Sequence, residues 1–178
     1  KCTNCGRPYP DQGLPYRCPV CLGTFDQADM PGYDTQQLDA AASYPGIWRF
    51  LPLLGLAQDA PQITLGEGNT PLVWSELDGR RVAFKLEFLN PTGSFKDRGS
   101  AVLASLLKAK GLLEAVEDSS GNAGASFAAY AARAGVHARI YVPDSASGPK
   151  RAQIGVYGAE LAPVPGPRSN AAQAVRKA

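Results

Sequence analysis

The second half of the sequence alternates between helix-like and strand-like segments, and this alternation restricts the fold more than any other feature. The predicted helices cover 101–110, 123–134 and 149–157, a further helix begins after a cap at Ser169, and the predicted strands cover 115–118, 136–142 and 160–164. Strands that alternate with helices are joined by crossover connections, which produce parallel pairing. We therefore expect an α/β fold with a parallel sheet and crossover helices over residues 63–178.

This region begins with signals for a β-hairpin. Leu72–Trp74 and Val82–Phe88 are strand-like, and Asp78-Gly79 between them is typical of a tight hairpin turn. The preceding residues, 26–62, are interpreted as a connector with some helix, including the short polar segment 34–42.

All four cysteines lie in residues 1–25, in the pattern Cys2-x2-Cys5-x12-Cys18-x2-Cys21. Two Cys-x-x-Cys pairs are typical of a tetrahedral structural zinc site, and a segment this small needs metal to supply its folding energy. Two disulfides are the alternative, although nothing in the sequence suggests secretion. A nucleic-acid-binding ribbon needs a basic, aromatic surface, and few such residues lie between the pairs. We therefore predict a structural zinc ribbon over residues 1–25.

A lysine lies in an unusual position in the stretch Asn90–Gly99. Ser94 and Asp97 have the spacing of a capping box, so a helix is predicted to begin there with Lys96 in its first turn. The positive end of the helix dipole disfavours an ammonium group and favours the neutral amine, which is the form that attacks a carbonyl. A solvated surface lysine is the alternative interpretation of this segment.

A glycine-containing turn, Ser119–Gly124, separates a predicted strand from a predicted helix. Free N–H groups at the start of a helix bind anions, and glycines allow close approach of a ligand. The turn lacks the spacing of a dinucleotide or P-loop fingerprint. By itself it is explained equally well as a plain connection.

Three segments together resemble the threonine synthase and threonine dehydratase group of pyridoxal-phosphate enzymes, which have a tryptophan-synthase-β-like fold. They are Gly66-Glu67-Gly68-Asn69-Thr70-Pro71-Leu72, Pro91-Thr92-Gly93-Ser94-Phe95-Lys96-Asp97-Arg98-Gly99 and Ser119-Ser120-Gly121-Asn122-Ala123-Gly124. The resemblance implies that Lys96 is the covalent partner of pyridoxal phosphate and its proton shuttle. Phe95 and Asn122 would contact the cofactor, Asn122 at its ring hydroxyl. The substrate carboxylate would be bound by Ser119, Ser120, Gly121, Ala123 and Gly124.

The resemblance further implies conversion of O-phosphohomoserine and water to threonine and phosphate. A threonine dehydratase or cysteate synthase activity is one alternative, and a non-catalytic zinc-ribbon and α/β module is another. The formal charge of +2 and the lack of a long apolar run give no sign of a nucleic-acid or membrane partner. We expect a small amino-acid phosphate as substrate, a homodimer and a cytoplasmic location. His137, the single histidine, is predicted to be a surface residue at a strand start.

The family's glycine-rich loop for the cofactor phosphate is not recognisable after Lys96, and the sequence stops inside a predicted helix. We therefore expect a fragment, or a gene product cut short, that is inactive by itself.

Overall fold

The computed structural model describes residues 1–13, 15–27, 32, 36, 39, 43–119 and 121–178. The chain divides into two compact units, Lys1–Asp34 and Thr35–Ala178, which are described separately. The polar segment 34–42, predicted to contribute helix to the connector, lies almost entirely outside the described residues.

The first unit is held by short backbone contacts around two turns. Cys2 forms an isolated antiparallel bridge with Phe25, and the Tyr9 and Phe25 rings meet edge to face with centroids 4.6 Å apart. Within the turns, Cys2 N donates to Arg7 O at 2.7 Å and Cys18 N donates to Gly23 O at 2.8 Å. These contacts bring the two cysteine pairs together.

The second unit begins with a 3-10 helix, Gly46–Leu53, that packs against the loop before the hairpin. Trp48 is 1% exposed and its Nε1 donates to Glu67 Oε1 at 2.9 Å. Gly46 has a φ of 61°, and a Cβ built on it would lie 2.0 Å from Glu67 O. Only glycine fits this close backbone approach, so the Gly66–Leu72 motif has a structural role here.

The β-hairpin is confirmed. β1 (Leu72–Leu77) pairs antiparallel with β2 (Arg80–Lys85), and Asp78 and Gly79 both have positive φ, as a two-residue primed turn requires. The second strand is shorter than predicted, because Glu87–Leu89 forms a 3-10 helix. Side-chain contacts stabilise this 3-10 turn. Glu87 forms a salt bridge with Arg98, and the side-chain amide of Asn90 donates a hydrogen bond to Glu87 O at 2.8 Å.

The parallel sheet with crossover helices is also confirmed. After α1 (Lys96–Ala109) come β3 (Glu114–Asp118), α2 (Asn122–Ala134), β4 (His137–Pro143), α3 (Gly148–Val156), β5 (Glu160–Val164) and α4 (Arg168–Val175). The strand order is β3-β4-β5, and both pairings are parallel. Pro163 is tolerated because β5 is an edge strand. His137 is exposed at the start of β4, as predicted.

Small residues allow α1, α2 and the sheet to pack closely. Ala101 and Ala104 of α1 are fully buried, as are Ala131 of α2 and Ile140 of β4. Among the described residues, no helix is long and apolar enough to cross a membrane.

Two predictions about the last helix are wrong. Pro167, with an extended backbone, is the N-cap of α4, and no side chain bonds to the cap, so Ser169 lies inside the first turn. The helix ends at Val175, so the sequence does not stop within it.

Candidate active site and candidate zinc site

Lys96 is the first residue of α1, as predicted, and its side chain is exposed. Its Nζ lies 4.7 Å from the centroid of the Phe95 ring, which is itself 56% exposed. Lys96 forms no ion pair with any residue that the structure describes. The amine is therefore accessible at the positive end of a helix.

The predicted capping box is wrong. Phe95, not Ser94, is the N-cap of α1, and no side chain bonds to the cap. Ser94 is 5% exposed, and its Oγ is buried without a hydrogen-bond partner among the described residues. The carboxylate of Asp97 is not free to close the box because it accepts hydrogen bonds from Thr92 and Ser126 instead.

Those bonds make Asp97 a buried junction between three segments. The side chain is completely buried, and Asp97 Oδ2 accepts the Thr92 backbone N–H at 2.7 Å. Asp97 Oδ1 accepts from the Thr92 hydroxyl and from Ser126 Oγ, the latter at 2.6 Å. Ser126 belongs to α2, so the first turn of α1 is tied to the second turn of α2. The N-terminal ends of these two helices therefore lie at the same side of the unit.

The predicted carboxylate-binding turn lies at that end of α2. The helix begins at Asn122, whose side chain is exposed, and buried Ser119 Oγ accepts N–H groups from Gly121 at 3.3 Å and Gly124 at 2.8 Å. The N–H groups of Asn122 and Ala123 have no acceptor among the described residues, as expected in a first helical turn. Ser120 lies outside the described residues.

A half-buried carboxyl group, Glu117, lies near Lys96 and was missed by the sequence analysis. Burial raises the pKa of Glu117 to about 7, Asp118 adds to the shift, and the charges of Lys96 and Arg168 oppose it. In the sheet register Glu117 neighbours Ile140, whose Cγ2 approaches Gly124 of α2, so Glu117 lies on the α2 face. An acidic residue in an apolar strand just before a glycine turn is the signal that could have indicated it.

Two further acidic residues, Glu67 and Glu87, hold the loops before Lys96 in place through hydrogen bonds. Glu67 is 1% exposed and accepts from Trp48 Nε1 and, at 2.7 Å, from the Tyr130 hydroxyl of α2. Arg98 donates to both oxygens of Glu87, at 2.8 and 2.9 Å, and this lowers the pKa of Glu87 to about 2. The partners are far apart in sequence, so spacing alone does not reveal them.

The four cysteines of the first unit form one cluster. Their sulfur atoms all lie within 4.8 Å of one another, with Cys2 and Cys21 at 3.4 Å and Cys5 and Cys18 at 3.7 Å. A tetrahedral zinc with Zn–S bonds of about 2.3 Å requires sulfurs about 3.8 Å apart, so the cluster fits this ion. These separations are too long for disulfides, and all four cysteines are free.

Backbone N–H groups prepare two of these sulfurs for a cation. The N–H groups of Cys21 and Val20 lower the pKa of the Cys18 thiol. The N–H of Gly23, with the side chain of Asn4, lowers the pKa of Cys21 to about 6. Cys5 shifts the other way, to a pKa of about 11, so the fit to zinc rests on the four-sulfur donor set and its spacing.

The α/β region matches a known family of enzymes. Residues 63–178 match the family described as pyridoxal-phosphate-dependent enzyme, and the chain belongs to this family.

Threonine synthases are among the proteins with a similar sequence. The chain is 39% identical to the threonine synthase of Synechocystis sp., over 73% of this chain and 37% of the relative. It is 32% identical to that of Methanocaldococcus jannaschii, over 99% of this chain and 46% of the relative. The chain thus spans less than half the length of these relatives.

Solved structures support the same fold. A hydrogen sulfide-producing enzyme from Fusobacterium nucleatum has a TM-score of 0.57 at 29% identity, covering 71% of this chain and 43% of that one. An O-ureido-L-serine synthase has a TM-score of 0.55 at 30% identity, covering 61% of this chain and 37% of that one. The predicted α/β fold of pyridoxal-phosphate enzymes is therefore confirmed.

Proposed function

We propose that this chain supplies the reactive lysine and the substrate-carboxylate loop of a threonine synthase-like lyase. The reaction converts O-phosphohomoserine and water to threonine and phosphate. The observation that carries the proposal is the placement of two helix N-termini side by side. Lys96 begins α1, Asn122 begins α2, and the Asp97–Ser126 bond joins the first turn of α1 to the second turn of α2.

The residues around Lys96 fit pyridoxal phosphate. When bound, this cofactor withdraws electrons from an attached amino acid and makes its C–H bonds acidic. Lys96 offers an accessible amine that would hold the cofactor, and its Nζ would accept and return the substrate's protons. Ser94 Oγ, two residues earlier, is buried and has no hydrogen-bond partner within the described part of the chain. A buried polar atom of this kind gains a partner when a polar group binds nearby.

The turn at the start of α2 fits a carboxylate. The N–H groups of Asn122 and Ala123, which have no acceptor in the described part of the chain, lie at the positive end of that helix, where an anion is favoured. Ser119 Oγ holds the Gly121 and Gly124 N–H groups and so keeps the turn in shape. The exposed amide of Asn122 is assigned to the cofactor's ring hydroxyl, with Phe95 beside Lys96 as a further cofactor contact.

The choice of O-phosphohomoserine rests on the curated relatives, which are threonine synthases. Another reaction on an amino acid is the second candidate, because the similar structures include a hydrogen sulfide-producing enzyme and an O-ureido-L-serine synthase. A threonine dehydratase or cysteate synthase activity belongs to this second candidate. The intact Lys96 argues against the non-catalytic alternative. A homodimer and a cytoplasmic location stay predictions.

The cysteine cluster is assigned a structural zinc ion. Cys2, Cys5, Cys18 and Cys21 would fill all four tetrahedral positions and leave none for a substrate. The ion would stabilise the fold of the first unit.

The test compares substrates on the complete product of the gene that encodes this chain. Phosphate release from O-phosphohomoserine is expected, together with its loss in Lys96→Arg and its retention in Lys108→Arg, a matched lysine later in α1. This 178-residue chain alone is expected to release no phosphate in an assay in which the Synechocystis threonine synthase serves as the active control. The reason is that orientation of the cofactor supplies much of the rate, and this chain alone is not expected to orient it. Consumption of threonine without phosphate release from O-phosphohomoserine would favour the dehydratase instead.

A further inference from the structure

A buried polar contact lies where α1 and α2 meet, next to both halves of the proposed site. Ser126 is completely buried, with its Oγ 2.6 Å from Asp97 Oδ1 and 2.8 Å from Ser100 Oγ. A hydroxyl has one hydrogen and a carboxylate can only accept, so that hydrogen goes to Asp97. Ser100 Oγ lies within hydrogen-bond distance of the same Ser126 hydroxyl, so the three side chains form one buried polar cluster.

This contact connects Lys96 with the turn Ser119–Gly124 through few steps. Asp97 directly follows Lys96, and Ser126 lies one helical turn after Asn122 on the same face of α2. The path from Lys96 to Asn122 therefore contains one peptide bond, one hydrogen bond and one turn of helix. Both ends of this path are rigid secondary structure.

Several other buried residues of these two helices are alanines. Ala101, Ala104, Ala128 and Ala131 are all buried, and methyl contacts of this kind do not fix a position along the helix axis. A hydrogen bond to a charged acceptor is short and directional, so it does fix that position. Thr92 holds the same carboxylate from the loop side, and Gln153 Nε2 of α3 donates to Thr92 O at 3.0 Å.

We propose that Ser126 and Asp97 are positioning residues that set the distance and angle between Lys96 and the turn Ser119–Gly124. The inference rests on the proposed function for the roles of Lys96 and the turn. Ser126 touches neither cofactor nor substrate; it acts through Asp97. Ser100, whose hydroxyl lies against Ser126, supports the same contact.

Ser105→Ala is the matched control for Ser126→Ala. Ser105 is also completely buried and also hydrogen-bonded, because its Oγ donates to Ala101 O at 2.8 Å and accepts the Ile63 N–H at 2.9 Å. It lies further along α1 and makes no bond to α2. Both variants lose a buried hydroxyl, but only Ser126→Ala removes the hydrogen bond to Asp97 that connects Lys96 with the turn.

The first measurement is amide hydrogen exchange on this chain without added cofactor. Ser126→Ala should speed exchange at 97–100 and at 124–127 on the order of tenfold to a hundredfold, as loss of a hydrogen bond to a charged group predicts. Ser105→Ala should leave these amides unchanged. Equal effects of the two variants at both ends of the path would overturn the inference, whatever the chain binds.

The second measurement is borohydride trapping of pyridoxal phosphate on the complete gene product, followed by peptide mapping. Ser126→Ala should slow labelling of Lys96 on the order of tenfold or more, while Ser105→Ala should not. Ser100→Ala, the milder variant if Ser126→Ala does not fold, should shift labelling less but in the same direction. Normal labelling of Lys96 in both Ser126→Ala and Ser100→Ala would refute the positioning role, whereas no labelling of Lys96 in the unsubstituted protein would refute the proposed function.

Discussion

Replacing Gly124 by alanine should destabilise the α/β unit, because the first turn of α2 lies directly on the sheet. A Cβ at Gly124 would lie 3.0 Å from Ile140 Cγ2, 3.0 Å from Ser119 Cβ and 3.3 Å from Ile154 Cδ1. Carbon atoms prefer separations of about 3.5–4.0 Å. Ile140 and Ile154 are fully buried, so they have no open space to move into.

The magnitude follows from two opposing effects. Overpacking a filled core costs about 1–3 kcal/mol, and alanine in a helix recovers at most about 1 kcal/mol relative to glycine. The free energy of unfolding should therefore fall by about 1–2 kcal/mol. Gly99→Ala is the matched control, since a Cβ on this helical glycine of α1 meets nothing within 4 Å, and it should gain about 0.5–1 kcal/mol.

Urea unfolding followed by tryptophan fluorescence measures both variants. The two tryptophans, Trp48 and Trp74, belong to the second unit, and Trp48 is buried, so its emission changes when that unit unfolds. The midpoint should fall for Gly124→Ala and rise for Gly99→Ala, with equal slopes. A Gly124→Ala variant as stable as the unsubstituted chain, beside a stabilised Gly99→Ala, would refute the close packing of the turn on the sheet.

Four further predictions concern metal binding and pH. Elemental analysis of chain purified without added metal should show about one zinc per chain, and four sulfurs in disulfides with no metal would contradict the ribbon. Gly23→Ala should weaken zinc binding, measured by competition with a chelator, because its Cβ would lie 2.9 Å from one cysteine sulfur and 3.3 Å from another. Gly32→Ala should not weaken it, because a Cβ there meets no atom of the described residues within 4 Å. The lowered pKa of Glu87, about 2, means that its contribution to stability is present above about pH 4.5 and is lost as pH falls toward 2. Glu87→Gln should lower the free energy of unfolding by about 1–2 kcal/mol at pH 7. In urea unfolding at several pH values, this variant should lose less stability between pH 4.5 and 2 than the unsubstituted chain. The contribution of Glu117 to stability has the opposite pH dependence, because its pKa is raised to about 7 and stability therefore falls as pH rises from about 4.5 to 7. Glu117→Gln should be more stable than the unsubstituted chain at about pH 8. If the substitution leaves the pH dependence of stability unchanged, the burial of Glu117 is contradicted.

The order of helices and strands was predictable from the sequence because the elements have distinct periodicities and several of them end next to a glycine or at a proline. Gly135, for example, ends α2 with a φ of 71°, as the sequence indicates. The hairpin turn at Asp78 and Gly79 was equally local. These local signals agree with the structure, whereas the helix caps predicted at Ser94 and Ser169 do not.

The site could be predicted only in part, because its supporting contacts join distant residues. Asp97 has capping-box spacing from Ser94, but a fully buried carboxylate binds stronger donors, and Ser126, 29 residues away, supplies one of them. In the sequence, Glu117 cannot be distinguished from an ordinary strand residue, because its raised pKa depends on burial in the folded sheet. Local pattern thus located Lys96 and the turn, whereas tertiary packing determined what holds them together.

The most direct test of the account is the location of the cofactor. Pyridoxal phosphate bound to the complete gene product, reduced with borohydride and mapped by peptide mass spectrometry, should be found on Lys96. Lys85 and Lys150 serve as internal controls, because Lys85 Nζ donates to Thr70 O and Lys150 Nζ donates to Gln153 Oε1. A label on either of these lysines, or one spread evenly over the chain's lysines, would contradict the assignment of Lys96 as the reactive residue.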